Sequence, residues 1–235
     1  MTEPTNDNSN AVRLVVISAG ISDPSSTRLL ADQLAQKSMA QFTDAGMEAT
    51  LSVIDLAPLA ADIAKAPIAG FPNEKLKSAI DTLAGADAVI AASPVYKAGL
   101  SGLFKSFIDL LDNDLLIAKP IILAATAGTA RHAMVVDDQM RPLFAYMRAL
   151  PVPTAIFAAP EDWSLPQFGG RLARAATELT QFVRSRVGPA ITGAAWNSYQ
   201  HQFGSASSQR QEPAEQIDFD SDLMKLAAGG SLGGR

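Results

Sequence analysis

The chain has 235 residues, of which 48% are hydrophobic and 18% charged, a balance that fits a soluble globular protein and excludes a disordered one. Its net charge of −5 leaves no basic surplus to hold a phosphate polymer, so nucleic acid is not an expected partner. With no cysteine, disulfides, thiolate metal sites, iron–sulfur clusters and cysteine nucleophiles are all excluded.

Residues 1–10, MTEPTNDNSN, have neither the basic nor the apolar region of a secretory signal. They are expected to be disordered, and the protein to be cytoplasmic. No apolar run approaches the ~18 residues of a membrane helix, so no membrane is expected. Val12 to Ile17 is the first predicted strand, ending at Ser18-Ala19-Gly20. A predicted helix follows from Ser26 to Ala45, with Leu29, Leu30, Leu34 and Phe42 on an approximate apolar face. Thr50 to Ile54 is the second strand, followed by an irregular Ala/Pro segment to Pro72. Asn73 suits the N-cap of a helix reaching Ala84, with Gly85 as its stop. Ala88 to Ala92 is the third strand, and Gly99 to Leu111 the next helix. Ile121 to Ala125, a helix over 132–149, and a fifth strand from Val152 to Ala158 follow. A helix from Phe168 to Val187 closes the pattern.

Strands that read as continuous apolar runs are buried on both faces, and their alternation with helices indicates βαβ units. The fold class is therefore α/β: a three-layer α/β/α domain over residues 11–187 with a five-stranded parallel sheet. Five strands suit the flavodoxin-like order 2-1-3-4-5 better than a six-stranded dinucleotide fold. Residues 188–235 form a polar tail rich in Gly, Ser, Gln and Ala. Within it 204–216 reads as linker, and 217–226 as a short amphipathic helix using Phe219, Leu223 and Leu226. That helix would dock on its own domain or a neighbouring subunit, or bind a partner.

Ligands of open parallel sheets bind at the carboxyl ends of the strands, so three loops carry the candidate site. The first, SAGISDPSSTRLL (18–30), places Ser18, Gly20, Ser25, Ser26 and Thr27 where a helix begins. Unpaired N–H groups, the positive dipole end and adjacent hydroxyls suit a phosphate, although Ser25 or Ser26 could equally be a plain N-cap. Neither a GxxxxGK[ST] loop nor GxGxxG is present, which favours a monophosphate over ATP or a dinucleotide. The second loop, SPVYKAGLSGLFKSFIDLL (93–111), carries Pro94, Val95, Tyr96 and Lys97, which can hold a flat heteroaromatic ring edge-on. Packing is the alternative role of Tyr96. The third, TAGTARH (126–132), offers Thr126, Ala127 and Gly128 as a small, flexible floor. In the order 2-1-3-4-5 all three loops converge on one crevice.

SAGISDPSSTRLLADQL, ASPVYKAGLSGLFKSFIDLLD and TAGTARHAMVVDDQMRPLFAYMRAL resemble the NAD(P)H-dependent FMN reductases of the flavodoxin-like superfamily. The resemblance runs from about residue 11 to 187 and is most specific in PVYKAGLSGLFKSFIDLL. It is nearest to the reductases that supply reduced flavin to luciferase-like and other two-component monooxygenases. It implies FMN as cofactor and NADPH or NADH as hydride donor. It further implies that Ser18, Ser25, Ser26 and Thr27 serve the phosphate, Pro94 to Lys97 lie along the isoalloxazine, and Thr126 to Gly128 form the third flavin loop. Many relatives carry Gly-Ser and an Arg in the first loop, where this chain has Ser18-Ala19-Gly20-Ile21, with Arg28 one turn into the helix. The resemblance also implies a homodimer or homotetramer, which the apolar residues Leu103, Phe104, Phe107, Phe144 and Met147 independently suggest.

No other chemistry competes well. There are two histidines, His132 and His201, no GxSxG elbow and no HExxH, so hydrolysis and metal catalysis are not expected and no metal site is assigned. Hydride transfer between two cofactors needs no catalytic side chain, which fits their scarcity. The alternatives are a quinone- or azo-type reductase on the same fold, or a non-enzymatic flavodoxin-like electron carrier.

Overall fold

A computed structural model describes residues 11–195. The expected disorder of 1–10, the linker 204–216 and the helix 217–226 lie outside the described residues. The sheet is seven-stranded, with β2 (Ala49–Asp55), β1 (Val12–Ser18), β3 (Ala88–Tyr96), β5 (Pro120–Thr126) and β6 (Leu150–Pro151) as neighbours in that order. Strand β4 (Gly99–Leu100) pairs with β3, and β7 (Ile156–Ala158) pairs with β5. All pairings are parallel except β3 with β4. Since β6 and β7 together make the fifth strand, this is the expected flavodoxin-like order with one added hairpin.

The period-2 alternation of side chains divides each central strand between two cores. Val15 and Ile17 of β1, Val89 and Ala91 of β3, and Ile121 and Leu123 of β5 face one side, packed with Ile63, Leu76, Phe104, Phe107 and Phe144. Leu14, Val16, Ile90 and Ile122 face the other, packed with Leu30, Leu34, Phe42, Phe168, Leu172 and Leu179. Helices α2 (Ala60–Ala69), α3 (Glu74–Ala84), α4 (Gly102–Ile108) and α5 (Arg141–Tyr146) therefore form one outer layer. Helices α1 (Ser26–Asp44) and α6 (Pro166–Arg184) form the other. Phe104, Phe107, Phe144 and Met147 are at most 2% exposed inside this single chain, so they do not supply the subunit contact suggested for them.

Four local departures from the sequence reading have identifiable causes. The Ala/Pro segment contains a 3-10 turn over Ala57–Leu59, where the missing N–H of Pro58 costs nothing in the first turn, and it leads into helix α2, which Gly70 ends at φ 80°. The helix expected at Gly99 starts only after Ser101, whose side chain accepts from the Phe104 N–H; residues 99–100 are a strand instead. The long helix expected over 132–149 is a short turn at 130–132, a π-helical turn over Val136–Met140, and then α5. Pro142 lacks the N–H for an α-helical bond to Asp138 and its ring crowds that carbonyl, so the chain upstream takes a wider turn. The fifth strand breaks between Pro151 and Ile156. There the Arg141 guanidinium donates to the Val152 and Pro153 carbonyls, and Glu178 accepts from the Thr154 N–H and hydroxyl. Helix α7 (Val187–Ala195) continues the fold into the first residues of the sequence-defined tail. No helix among the described residues is long and apolar enough to cross a membrane.

Candidate active site

The carboxyl ends of β1, β3 and β5 lie side by side, as the register of Ser18 with Ala92 and of Pro94 with Thr126 shows. Their loops enclose a cleft of about 420 Å³, within the range of small-molecule sites. Gly20, Ser25, Ser26 and Thr27 line it from the first loop, Pro94, Val95 and Tyr96 from the second, and Thr126, Ala127 and Gly128 from the third. Two of the twelve predicted residues do not line it. Ser18 sits beneath the first loop, fully buried, and Lys97 occupies the exposed tip of the β3–β4 hairpin.

Along the first loop, the Ser25 hydroxyl accepts from the Arg28 N–H at 3.2 Å and caps α1. Capping uses a lone pair and leaves the hydroxyl proton to donate elsewhere, so the cap and ligand roles are compatible. By helix geometry the N–H groups of Ser26 and Thr27 have no acceptor within α1. A Cβ at Gly20 would stand 1.9 Å from Ser25 Oγ, so this close approach requires glycine. Arg28 is engaged by Asp32 at 2.8 Å and by Asp55 at 3.7 Å and does not line the cleft.

The floor is a buried hydroxyl pair. Thr27 Oγ1 and Thr126 Oγ1 are 2.7 Å apart, and the two residues are 2% and 4% exposed. Whichever oxygen donates, the accepting hydroxyl keeps one proton for a third group. The Ser18 Oγ, just below, is buried without a partner among the described residues.

The second wall is strained. Strand β3 runs past Ala92 to Tyr96, and Lys97-Ala98 turn it back into β4 with φ of 50° and 64°. Both values lie in the left-handed region that such hairpin turns require, at a cost of roughly 1–2 kcal/mol for each non-glycine residue. The Ser101 N–H donates to the buried Ser93 Oγ and to the Pro94 carbonyl, both at 3.1 Å, and anchors the hairpin base. Tyr96 is 47% exposed and borders the cleft instead of packing in the core.

Sequence reasoning missed Ile21, Ser22, Ala158, Pro160 and Trp163, which also line the cleft. Ala158 ends the fifth strand and Pro160 and Trp163 follow it, in the fourth loop to reach the same crevice. Trp163 is set by an edge contact with Phe168 at 5.4 Å, and its loop by Asp162, which accepts from the Ala159 N–H at 2.8 Å. The signal was a Trp shortly after a strand end. Among the described residues no charged side chain lines the cleft, so an anion in it would rest on N–H groups, hydroxyls and the α1 dipole. Gly128 has nothing within 4 Å of an added Cβ, leaving the third loop open beneath a flat group. A hydroxyl pair with a proton to spare, free helix N–H groups and an open third loop fit a phosphate joined to a planar ring.

The family profile described as NADPH-dependent FMN reductase matches residues 12–164, well over half of the chain. The chain belongs to this family. It is an oxidoreductase that uses FMN and a nicotinamide nucleotide. Among characterised relatives, an FMN reductase (NADPH) of Pseudomonas aeruginosa is 34% identical over 153 residues, covering 64% of this chain and 78% of the relative. An NADH-dependent FMN reductase of Pseudomonas putida is 32% identical over 154 residues, covering 66% and 81%. Among solved structures, an oxidoreductase from Corynebacterium diphtheriae superposes with a TM-score of 0.73 at 43% identity, covering 75% of this chain and 98% of its own. The family's matched segment contains every residue that lines the cleft.

Proposed function

We propose that the cleft is the FMN site, with the phosphate at Gly20 to Thr27 and the ring system between Pro94–Tyr96 and Thr126–Gly128. The reading rests on one observation: loops far apart in sequence meet around a single uncharged cleft that retains free hydrogen-bond donors. When bound, FMN supplies the hydride-accepting chemistry, and NADPH or NADH the hydride. The protein's share is placement. The Ser26 and Thr27 N–H groups and the Ser25 and Ser26 hydroxyls hold the phosphate, and backbone groups of 94–96 and 126–128 set the ring and offer donors to its polar edge. Tyr96 and Trp163 shield two sides of the cleft from water.

The reduced flavin is a product for use elsewhere, by a flavin-dependent monooxygenase. The protein acts in the cytoplasm as a homodimer or homotetramer. Ile68, Phe71 and Tyr146, at 90%, 69% and 66% exposure, are the apolar residues available to such contacts.

The test is to purify the full chain, record its visible spectrum, and follow oxidation of NADPH and of NADH with and without FMN. FMN-stimulated oxidation of at least one nicotinamide is expected. Fast turnover with a quinone and no FMN stimulation would move the assignment to a quinone reductase. Oxidation of neither nucleotide would leave an electron carrier. Light scattering on the same sample reads the oligomeric state.

A further inference from the structure

The Lys97-Ala98 turn holds two left-handed residues without a glycine or asparagine to favour them. Nothing in β4 itself compensates, since it is two residues long and lies at the edge of the sheet. The compensation comes from Gln139, 41 positions beyond Ala98. Its Nε2 donates to the Ala98 carbonyl at 3.0 Å, and its Oε1 accepts from the Leu100 N–H at 3.2 Å. In a strand the C=O of one residue and the N–H two residues on point to the same edge. A primary amide has one donor and one acceptor in the matching order, so Gln139 stands in for the peptide group of an absent neighbouring strand. A carboxylate would lack the donor, and an aliphatic side chain both groups. Gly99 leaves room for the amide, because a Cβ there would stand 3.2 Å from Oε1.

Gln139 does not line the cleft, yet it joins two of its walls. It belongs to the π-helical turn Val136–Met140 that follows the third loop, and it grips the hairpin whose inner strand presents Val95 and Tyr96. Val136 and Met140 on that turn are fully buried, so Gln139 reaches the hairpin from a fixed base.

We propose that Gln139 is a positioning residue for the flavin site: its side-chain amide clips the strained hairpin and presets Val95 and Tyr96 as a wall for the ring. The proposal rests on the flavin reading of the cleft. It implies that the strain at residue 98, next to that at Lys97, is part of what the clip offsets. A glycine at 98 adopts positive φ without strain and lessens the need for the clip.

The experiment compares the full-length wild type with Gln139→Met, Gln139→Glu, Ala98→Gly, the double variant Gln139→Met/Ala98→Gly, and Tyr96→Ala. The readouts are KM for FMN, kcat, melting temperature, and hydrogen exchange of the Leu100 amide in the flavin-free protein. Gln139→Met is expected to raise KM for FMN about tenfold with kcat within about twofold, the scale of one lost hydrogen-bonding group. Leu100 exchange should quicken at least about tenfold, since its acceptor is gone. Gln139→Glu should fall between, and adding Ala98→Gly should restore most of the loss in KM while Leu100 exchange stays fast, because its acceptor is still missing. A purely structural role would instead lower the melting temperature and the amount of active enzyme while leaving KM unmoved, and that result overturns the proposal. Unchanged Leu100 exchange overturns it too, as does failure of Ala98→Gly to rescue. If KM ignores Gln139→Met but rises in Tyr96→Ala, the clip proposal falls and the flavin site stands. If KM ignores Tyr96→Ala as well, the assignment of the cleft falls with it.

Discussion

At the carboxyl end of the strands the cleft measures about 420 Å³ and no charged side chain lines it. At the amino end a cleft of about 1210 Å³ is lined by Arg13, Asp87, Lys119, Arg184 and Arg186 among others. The larger and more charged space is not the one proposed to hold FMN. At the amino end Arg13, Asp87 and Lys119 are occupied in fastening elements together. Arg13 grips Asp87 through Nε, its second guanidinium nitrogen and its backbone N–H, at 2.9 to 3.1 Å. Lys119 Nζ donates to the Ala84 and Ala86 carbonyls, at 2.9 and 2.7 Å, where the last turn of α3 leaves carbonyls without helical partners. Burial pushes the Lys119 ammonium pKa down, with Asp87 opposing. Burial also resists ionisation of Asp87, but the hydrogen bonds from Arg13 outweigh it and hold the carboxyl below the usual carboxylate range. At the carboxyl end the reverse holds: helix N–H groups and hydroxyls keep donors in reserve, and the hairpin wall is strained.

This contrast predicts that substitutions at one end change flavin affinity and at the other end change stability alone. The largest effect is expected from Gly20→Val, whose Cβ would enter the space of Ser25 Oγ at 1.9 Å and displace the loop. FMN binding, followed by quenching of flavin fluorescence, should weaken about a hundredfold, or roughly 2.7 kcal/mol. An affinity within about threefold of wild type would place the phosphate elsewhere.

Next is Thr126→Val, which leaves the Thr27 hydroxyl, 2% exposed, without its partner at 2.7 Å. Urea unfolding should show a loss of about 1–3 kcal/mol along with weaker FMN binding. Equal stability would mean that the pair contributes nothing to the floor.

At the amino end, Lys119→Met removes the donor shared by the Ala84 and Ala86 carbonyls. The expected loss is about 1 kcal/mol in unfolding free energy, with KM for FMN within about twofold of wild type. A marked rise in KM would break the separation of the two ends.

The smallest effect belongs to Asp87→Asn. The Arg13–Asp87 pair has side chains 59% and 41% exposed, so solvent screening holds its contribution below about 1 kcal/mol. Because the Asp87 pKa is lower folded than unfolded, its stabilisation is present above the usual carboxylate range and is lost as pH falls through the lowered value. Wild type and variant should therefore differ near neutral pH and converge in strong acid and in about 1 M salt. A difference that grows on acidification would contradict that sign.

Much of the architecture was legible because it rests on local patterns. Continuous apolar runs at Val12–Ile17, Ala88–Ala92 and Ile121–Ala125 mark strands buried on both faces, and Asn73 caps α3 as its chemistry requires, its side chain accepting from the Leu76 N–H at 2.9 Å. The three-loop convergence was legible too, since strand order and the rule of carboxyl-end binding together imply it. Ten of the predicted site residues line the cleft for that reason.

What the tertiary structure alone decided concerns groups whose partners are remote in sequence. Phe104 and Phe144 look alike on a helical wheel whether they meet a second subunit or each other; packing puts their rings 6.2 Å apart inside one core. Lys97 looked like a wall residue until the hairpin placed it at an exposed tip, and Arg28 pairs with Asp32 and Asp55 outside the cleft. Gln139 carries no local signal at all. Composition and periodicity determined which strands and loops this chain would make. Long-range hydrogen bonds and packing decided which side chains remain free to meet a ligand, because a group's availability depends on every partner that folding brings to it.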